Sequence, residues 1–360
     1  SILGDAVRLE SYPIAATPLS VRALFDRQAR PEGCWDWFEI LADTTLSQKE
    51  SARILALLDS DGRPVCAVPL VAMDGRIIRG LTSPFTTLFC APFGHDGDAR
   101  MLGKFLAAEI GATFRLDALD PADSAARSFQ EGLAGAGLVV ARFRHFANWF
   151  ERIDSFPDYW AGRESRLKST VKRKAAALQR DGQLVFEMID LEADWRRGAE
   201  IYEAIYASSW KPAEPHPHFI QALLEKMGRH GKARLCVAMI EGRPAAAQIW
   251  LAQQDRATIF KLAHDPAFDR QSPGTLLTHW MLRLLHERDG VREVDFGRGD
   301  DTYKRLWLRL ARDREGVLAA NPRTLKGLLA VAVDILPSRV AKFLRRRATA
   351  GGHQTEMKTS

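Results

Sequence analysis

Cysteine is scarce in this chain, and what there is lies scattered. The four thiols, Cys34, Cys66, Cys90 and Cys236, form no Cys-x-x-Cys pair and no paired spacing. That argues against a disulfide framework or a zinc site and fits a reducing cytoplasm. Long apolar runs are missing too, since none reaches the roughly 18 residues of a bilayer-spanning helix. The first residues lack a basic stretch followed by an apolar one, so no secretory signal is expected. The chain opens on Ser1 rather than Met, which leaves a targeting segment upstream open. Neither Gly-x-x-x-x-Gly-Lys-Ser/Thr nor Gly-x-Ser-x-Gly occurs, which argues against a P-loop enzyme and a serine hydrolase.

What is present is ordinary in bulk and uneven in detail. The 360 residues suggest about two domains, and 46% hydrophobic with 27% charged residues is a globular composition. The net charge of +6 is concentrated. Arg163, Arg166, Lys168, Lys172, Arg173, Lys174 and Arg180 stand against the single acid Glu164, and a second basic cluster runs from Arg339 to Arg347. Such patches attract phosphates, whether of nucleic acid, anionic lipid or a phosphorylated cosubstrate. No nucleic-acid module signature accompanies them, so DNA is not expected as a partner and tRNA is disfavoured.

Two halves share one grammar. Arg53 to Leu70 reads as a hairpin around Asp61-Gly62, and Ala233 to Trp250 repeats it around Glu241-Gly242. Each is followed by a helix (Asp98 to Ile110; Gly274 to Arg288) and then a strand (near Phe114–Leu116; near Arg292–Phe296). The expected class is α/β, with two related domains of mixed sheet flanked by helices, 1–152 and 153–320, the break falling near Phe150–Pro157. Residues 164–180 read as a basic helix with Leu167, Val171, Ala175 and Leu178 on its apolar face. Residues 321–360 read as an amphipathic basic segment and a polar tail. That end is short enough to lie on an anionic membrane surface or to pack on the core.

The chemistry gathers between Ala257 and Trp307. A strand ending at His264 leads through Gln271-Ser272-Pro273-Gly274-Thr275-Leu276 into a helix whose first amides are unpaired. Phosphate oxygens are stabilised at such a helix start, although Ser-Pro is also a common helix cap. A second strand ends in Asp295-Phe296-Gly297, and the loop after it carries Asp300, Tyr303 and Lys304 into a short helix. Carboxylates, a phenol and an amine are thereby collected at one strand end, where α/β folds place ligands.

Taken together, Ser272-Pro273-Gly274, Asp295-Phe296-Gly297-x-Gly299-Asp300, Tyr303-Lys304 and Trp307 resemble the acetyltransferase domain of the cellulose-biosynthesis-associated and FemAB-like branch of the GNAT superfamily. The Trp160 region and Ser209-Trp210-Lys211 are similar to the same family's start. The resemblance implies tandem GNAT-like domains, the first a degenerate copy. It also implies acyl-CoA, acetyl or longer, as cosubstrate, no metal, and transfer to an amine. Gln271, Ser272, Gly274, Thr275, Leu276 and Lys304 are then expected to hold the donor. His264, Asp295, Asp300 and Tyr303 supply the base, orienter and acid, and Trp210, Lys211, Glu214 and His216 line the acceptor side. The usual Arg/Gln-x-x-Gly-x-Gly/Ala signature is altered here, with Leu276 in place of the last small residue. His216-Pro-His218 lacks a third metal ligand. The acceptor stays open between an amino sugar or polysaccharide precursor, an amino acid and a long-chain lipid amine. A non-catalytic scaffold of an envelope polysaccharide system and Fem-like aminoacyl transfer from tRNA are the competing readings. The expected location is the cytoplasm, with peripheral attachment at the inner membrane as its variant.

Overall fold

The computed structural model describes residues 7–180 and 182–336. The two hairpins form where the turn chemistry demands them. Gly62 takes φ +77°, and Glu241 and Gly242 both take positive φ, the backbone of the tight turns that suit twisted strands. The flanking strands β2 (Glu50–Leu58) and β3 (Pro64–Met73) bury most of their length, as near-continuous apolar runs require.

Before them comes β1 (Arg8–Pro13), and after them β4 (Arg76–Gly80), β5 (Ile110–Leu119) and β6 (Val139–Arg152). The second half supplies β7 (Leu184–Ile189), β8 (Ala233–Ile240), β9 (Arg243–Gln253), β10 (Arg256–His264), β11 (Glu293–Asp295) and β12 (Leu310–Ala320). All join one sheet in the order β1-β2-β3-β4-β5-β12-β6-β11-β10-β9-β8-β7. Read from either end, the order repeats. Five strands of one half come first, then the exchanged pair β12 and β6, then the other five in reverse. Only β4/β5 and β10/β11 run parallel. The duplication suspected from the hairpins is therefore written into the topology, and the fold is a tandem GNAT-like α/β arrangement.

The exchange itself was not legible. β6 closes the first half in sequence yet pairs with β11 of the second, while β12 closes the second and pairs with β5 of the first. The limits 1–152 and 153–320 thus separate two stretches of sequence whose sheets interlock. A buried ion cluster ties the same seam. Arg30 meets Glu293 at 2.9 Å and Asp295 at 3.3 Å, and Arg312 meets Glu293 at 3.0 Å.

Helices cover the sheet: α1 (Leu19–Asp26), α2 (Trp35–Thr45), α3 (Asp96–Leu106), α4 (Ser124–Gly135), α5 (Phe156–Ala161), α6 (Ser165–Arg180), α7 (Leu191–Ser208), α8 (Phe219–Arg229), α9 (Pro273–Asp289), α10 (Thr302–Trp307) and α11 (Leu325–Ala330). Gly103 of α3 and Gly132 of α4 let their backbones touch, since a Cβ on either would collide with the other helix's main chain. In α6, Leu167, Val171 and Leu178 are buried and the basic residues face outward, as the periodicity predicts. No described helix is long and apolar enough to cross a membrane. After α11 a π-turn (Val331–Ile335) leaves Leu325, Leu328, Leu329, Val333 and Leu336 exposed. The basic cluster at 339–347 and the tail expected from the sequence lie outside the described residues.

Candidate active site

β10 and β11 run side by side only briefly. Their register holds from Arg256↔Glu293 to Thr258↔Asp295, after which the strands part. A bulge between Ile259 and Lys261 bends β10 further, and such bulges re-aim strands beside functional sites. The parted strands open a cleft of about 700 Å³ whose walls include Ile259 to Leu262, Phe296 and the start of α9. The backbone of β10 from Ile259 onward has no strand on that side, and of its carbonyls Leu262 O is taken by Lys211.

At the head of the cleft Ser272 adopts φ +54°, ψ +49°, a left-handed conformation that costs a non-glycine residue roughly 1 kcal/mol. The turn delivers Pro273 to the first helical position and leaves the start of α9 without a side-chain cap. Ser272, Pro273, Gly274 and Thr275 all line the cleft. A Cβ placed on Gly274 would find no atom within 4 Å. Unlike the glycines of α3 and α4, this one answers to no packing constraint within the chain.

The floor carries Tyr303 in a hydrogen-bonded chain that sequence reasoning did not find. Its hydroxyl lies 3.0 Å from Thr278 Oγ1, which is 2.9 Å from Gly274 O. Gln248 Nε2 donates to Thr278 Oγ1 at 2.7 Å and to Gly274 O at 3.2 Å, and Trp250 Nε1 donates to Gln248 Oε1 at 3.0 Å. The only signal for Thr278 was its place one turn beyond Gly274. Because Gln248 satisfies Gly274 O independently, Thr278 can either donate to Gly274 and accept from Tyr303, or turn its proton to Tyr303. Burial raises the Tyr303 pKa above the usual phenol value, with the Thr278 and Trp307 contacts opposing it.

The other expected residues fall into three groups. His264, Ser272, Gly274, Thr275, Tyr303, Lys304, Trp210 and Lys211 line the cleft. His264 Nε2 lies 2.9 Å from Asp269 Oδ1, also a lining residue. Lys211 donates to Leu262 O on the open edge of β10, and Lys304 to Arg298 O. Burial lowers the pKa of both lysines. Glu214 holds Lys261 through both oxygens at 2.9 Å, and His216 packs edge-on against Phe85 at 5.8 Å.

Asp295, Asp300, Gln271 and Leu276 lie off the cleft wall. Asp295 is buried in the seam, accepting from Arg30, Asn148, Thr258 and the Gly297 amide. Asp300 is held at the surface by Trp149 Nε1 at 2.8 Å and Arg305 at 3.0 Å. Its neighbour Asp301 faces the cleft instead. Leu276 belongs to the core, and Gln271 Oε1 is buried without a partner. Among the described residues no three His, Cys, Asp or Glu side chains converge as a metal site.

Comparison with known proteins agrees with this geometry. Residues 165–305 match the acetyltransferase (GNAT) domain family. No curated protein matches the chain in sequence. The fold resembles the crystal structure of FemX, with 12% identity over 90% of this chain and 99% of that one and a TM-score of 0.63. It also resembles the C-terminal domain of a protein assigned as a lysylphosphatidylglycerol synthetase of Agrobacterium fabrum (13% identity, 87% and 94% covered, TM-score 0.53). A conserved Bacteroides thetaiotaomicron protein of unknown function is similar at 9% identity, with 88% and 100% covered and a TM-score of 0.50. Residues 165–305 thus match a GNAT acetyltransferase domain, set within a tandem GNAT-like α/β fold.

Proposed function

We propose that the chain transfers an acyl group from acyl-CoA to an amine in the cleft between β10 and β11. The observation that carries this is the bare start of α9. Ser272 is held in a costly left-handed turn, and the amides behind it open onto a cleft edged by an unpaired strand. An anionic diphosphate gains hydrogen bonds and the positive end of the helix there. The outward basic face of α6 stands beside the same turn, with Lys174 Nζ donating to Arg270 O at 2.5 Å. That suits the further phosphate of CoA, which when bound supplies an activated thioester.

The residues divide the remaining tasks. Unpaired β10 amides are placed to donate to a developing oxyanion. With Nε2–H hydrogen-bonded to Asp269, His264 presents its Nδ1 lone pair to take a proton from the acceptor amine, whose freed lone pair attacks the thioester carbonyl. Tyr303 keeps its proton at neutral pH and can give it to a leaving thiolate. Thr278 then turns its own proton toward the phenolate, with Gln248 covering Gly274 O.

Thermal-shift titration with acetyl-CoA and palmitoyl-CoA tests the donor class. Stabilisation by either supports the reading, and a preference between them sets the acyl length. No shift with any CoA ester sinks it and returns the chain to a binding or scaffold role. A tRNA-borne donor is favoured only by the basic face of α6, and would show as transfer from aminoacyl-tRNA without CoA.

We also propose that the exposed row Leu325, Leu328, Leu329, Val333 and Leu336, followed in sequence by Arg339, Lys342 and Arg345–Arg347, rests on an anionic bilayer. Flotation with phosphatidylglycerol vesicles but not with phosphatidylcholine vesicles is expected. Equal or absent flotation refutes it.

A further inference from the structure

A second cavity of about 390 Å³ adjoins the cleft, sharing Pro84 and Arg298 with it. Its wall also includes Arg79, Asp117, His145 and His216. Most of its charge is already matched. Arg79 is paired with Glu50 at 3.0 Å, and Asp117 with Arg115 at 2.9 Å. Arg298 is different: among the described residues its guanidinium forms no ion pair within 4 Å, and Asp117 offsets its charge only from further off. Nη1 points at the carbonyls of Ser83, Pro84 and Thr86, and Nη2 lies 3.3 Å from His145 Nε2. Gly297 and Gly299, at φ +61° and +102°, turn the backbone on either side of Arg298, and its guanidinium also lies 4.6 Å from the centre of the Phe146 ring.

The imidazole makes this arrangement informative. His145 Nδ1 receives the backbone N–H of Ala118 at 3.2 Å, so Nδ1 carries a lone pair. A neutral ring then has its proton on Nε2, the atom facing the Arg298 donor. Two donors are aimed at the same space, and one acceptor oxygen between them would satisfy both. Burial keeps His145 neutral by lowering its pKa, with Arg298 and Arg115 adding and Asp117 opposing. Ala118 itself sits at φ +60°, a conformation that alanine takes only when its surroundings impose it.

We infer that this second cavity holds an anionic oxygen of the acceptor, a carboxylate or a phosphate, between Arg298 Nη2 and His145 Nε2. The inference rests on the reading of the main cleft as the transfer site and names its substrate class. The acceptor is a polar amine with an anionic group, whose amine reaches past Pro84 and Arg298 toward the open edge of β10. A single guanidinium without a direct ion pair suits a single anionic group, and a wall this polar disfavours a long-chain lipid amine.

The test uses the full chain labelled with 15N-histidine, titrated with sodium phosphate and, separately, sodium acetate at constant ionic strength. A saturable shift of the His145 Nε2 resonance is expected. Binding should weaken about tenfold or more in Arg298→Met and stay unchanged in Arg144→Met, an exposed arginine beside His145 on β6. Should Arg298→Met fail to fold, Arg298→Lys, which keeps the charge without the fork of donors, takes its place with the same expected loss. Saturation by phosphate alone identifies a phosphorylated acceptor, and saturation by acetate as well admits an amino acid. No saturation with either anion, or a shift indifferent to Arg298, overturns the inference. Stabilisation of the same sample by acetyl-CoA separates the two claims. Present without anion binding, it leaves the donor reading standing and this one fallen. Anion binding without any CoA-ester stabilisation removes the acceptor role.

Discussion

Replacing Gly274 by alanine should move stability and donor affinity in opposite directions. The residue occupies the second position of α9, and no atom lies within 4 Å of where the new methyl would stand. Alanine is therefore free of clash and removes part of the helix cost of glycine. The expected gain is about 0.5 kcal/mol, or roughly 1 °C in Tm. The Cβ leans toward the helix start, into the space proposed for the donor phosphates. Losing one charge-assisted hydrogen bond there costs about 1.5–3 kcal/mol, which weakens acetyl-CoA binding roughly 10- to 100-fold. Calorimetric titration beside a thermal melt reads both quantities. A variant that melts no lower than wild type and binds acetyl-CoA equally well would refute the placement of the donor at this turn.

Tyr303→Phe should cut kcat about 100-fold while leaving acetyl-CoA affinity intact. Thr278→Val should cut it less, with single-turnover kinetics locating both losses in the chemical step. Ser272→Gly should raise stability by about 1 kcal/mol in a denaturant titration, because it relieves the left-handed strain. In the seam, burial raises the Asp295 and Glu293 pKa values, but Arg30 and Arg312 outweigh it and hold both below the ordinary carboxylate range. Their stabilisation is thus complete above the unfolded value of about 4 and is lost as pH falls through the lower folded values, so Tm should drop on acidification below about pH 5. Asp295→Asn should cost about 3–5 kcal/mol at pH 7 and flatten that slope.

The sequence carried the local elements well, because they depend on neighbours. Asp61-Gly62 and Glu241-Gly242 announced their turns, and the spacing of Leu167, Val171 and Leu178 announced α6. Ser272-Pro-Gly announced the start of α9 where it is found. What stayed hidden depends on partners far along the chain. The exchange of β6 and β12 leaves no mark on either strand's own pattern, since both bury residues whichever half they join. Gln248 reads as one polar residue in an apolar strand, and only the approach of Thr278 gives it a role. Asp295 and Asp300 resembled site carboxylates because their loop leads to the cleft. Arg30 draws one into the seam, while Trp149 and Arg305 hold the other at the surface. Arg298 was in view between its two glycines, yet its importance comes from His145, 153 positions away.

The central claim is that the donor lies along the open edge of β10 with its phosphates at the start of α9. Hydrogen–deuterium exchange with and without saturating acetyl-CoA measures this directly. The account predicts slowed exchange at the amides of Gly274 and Thr275 and along Ile259–His264, with little change in β1 to β3. Unchanged exchange at those amides, or protection confined to another part of the sheet, would contradict it.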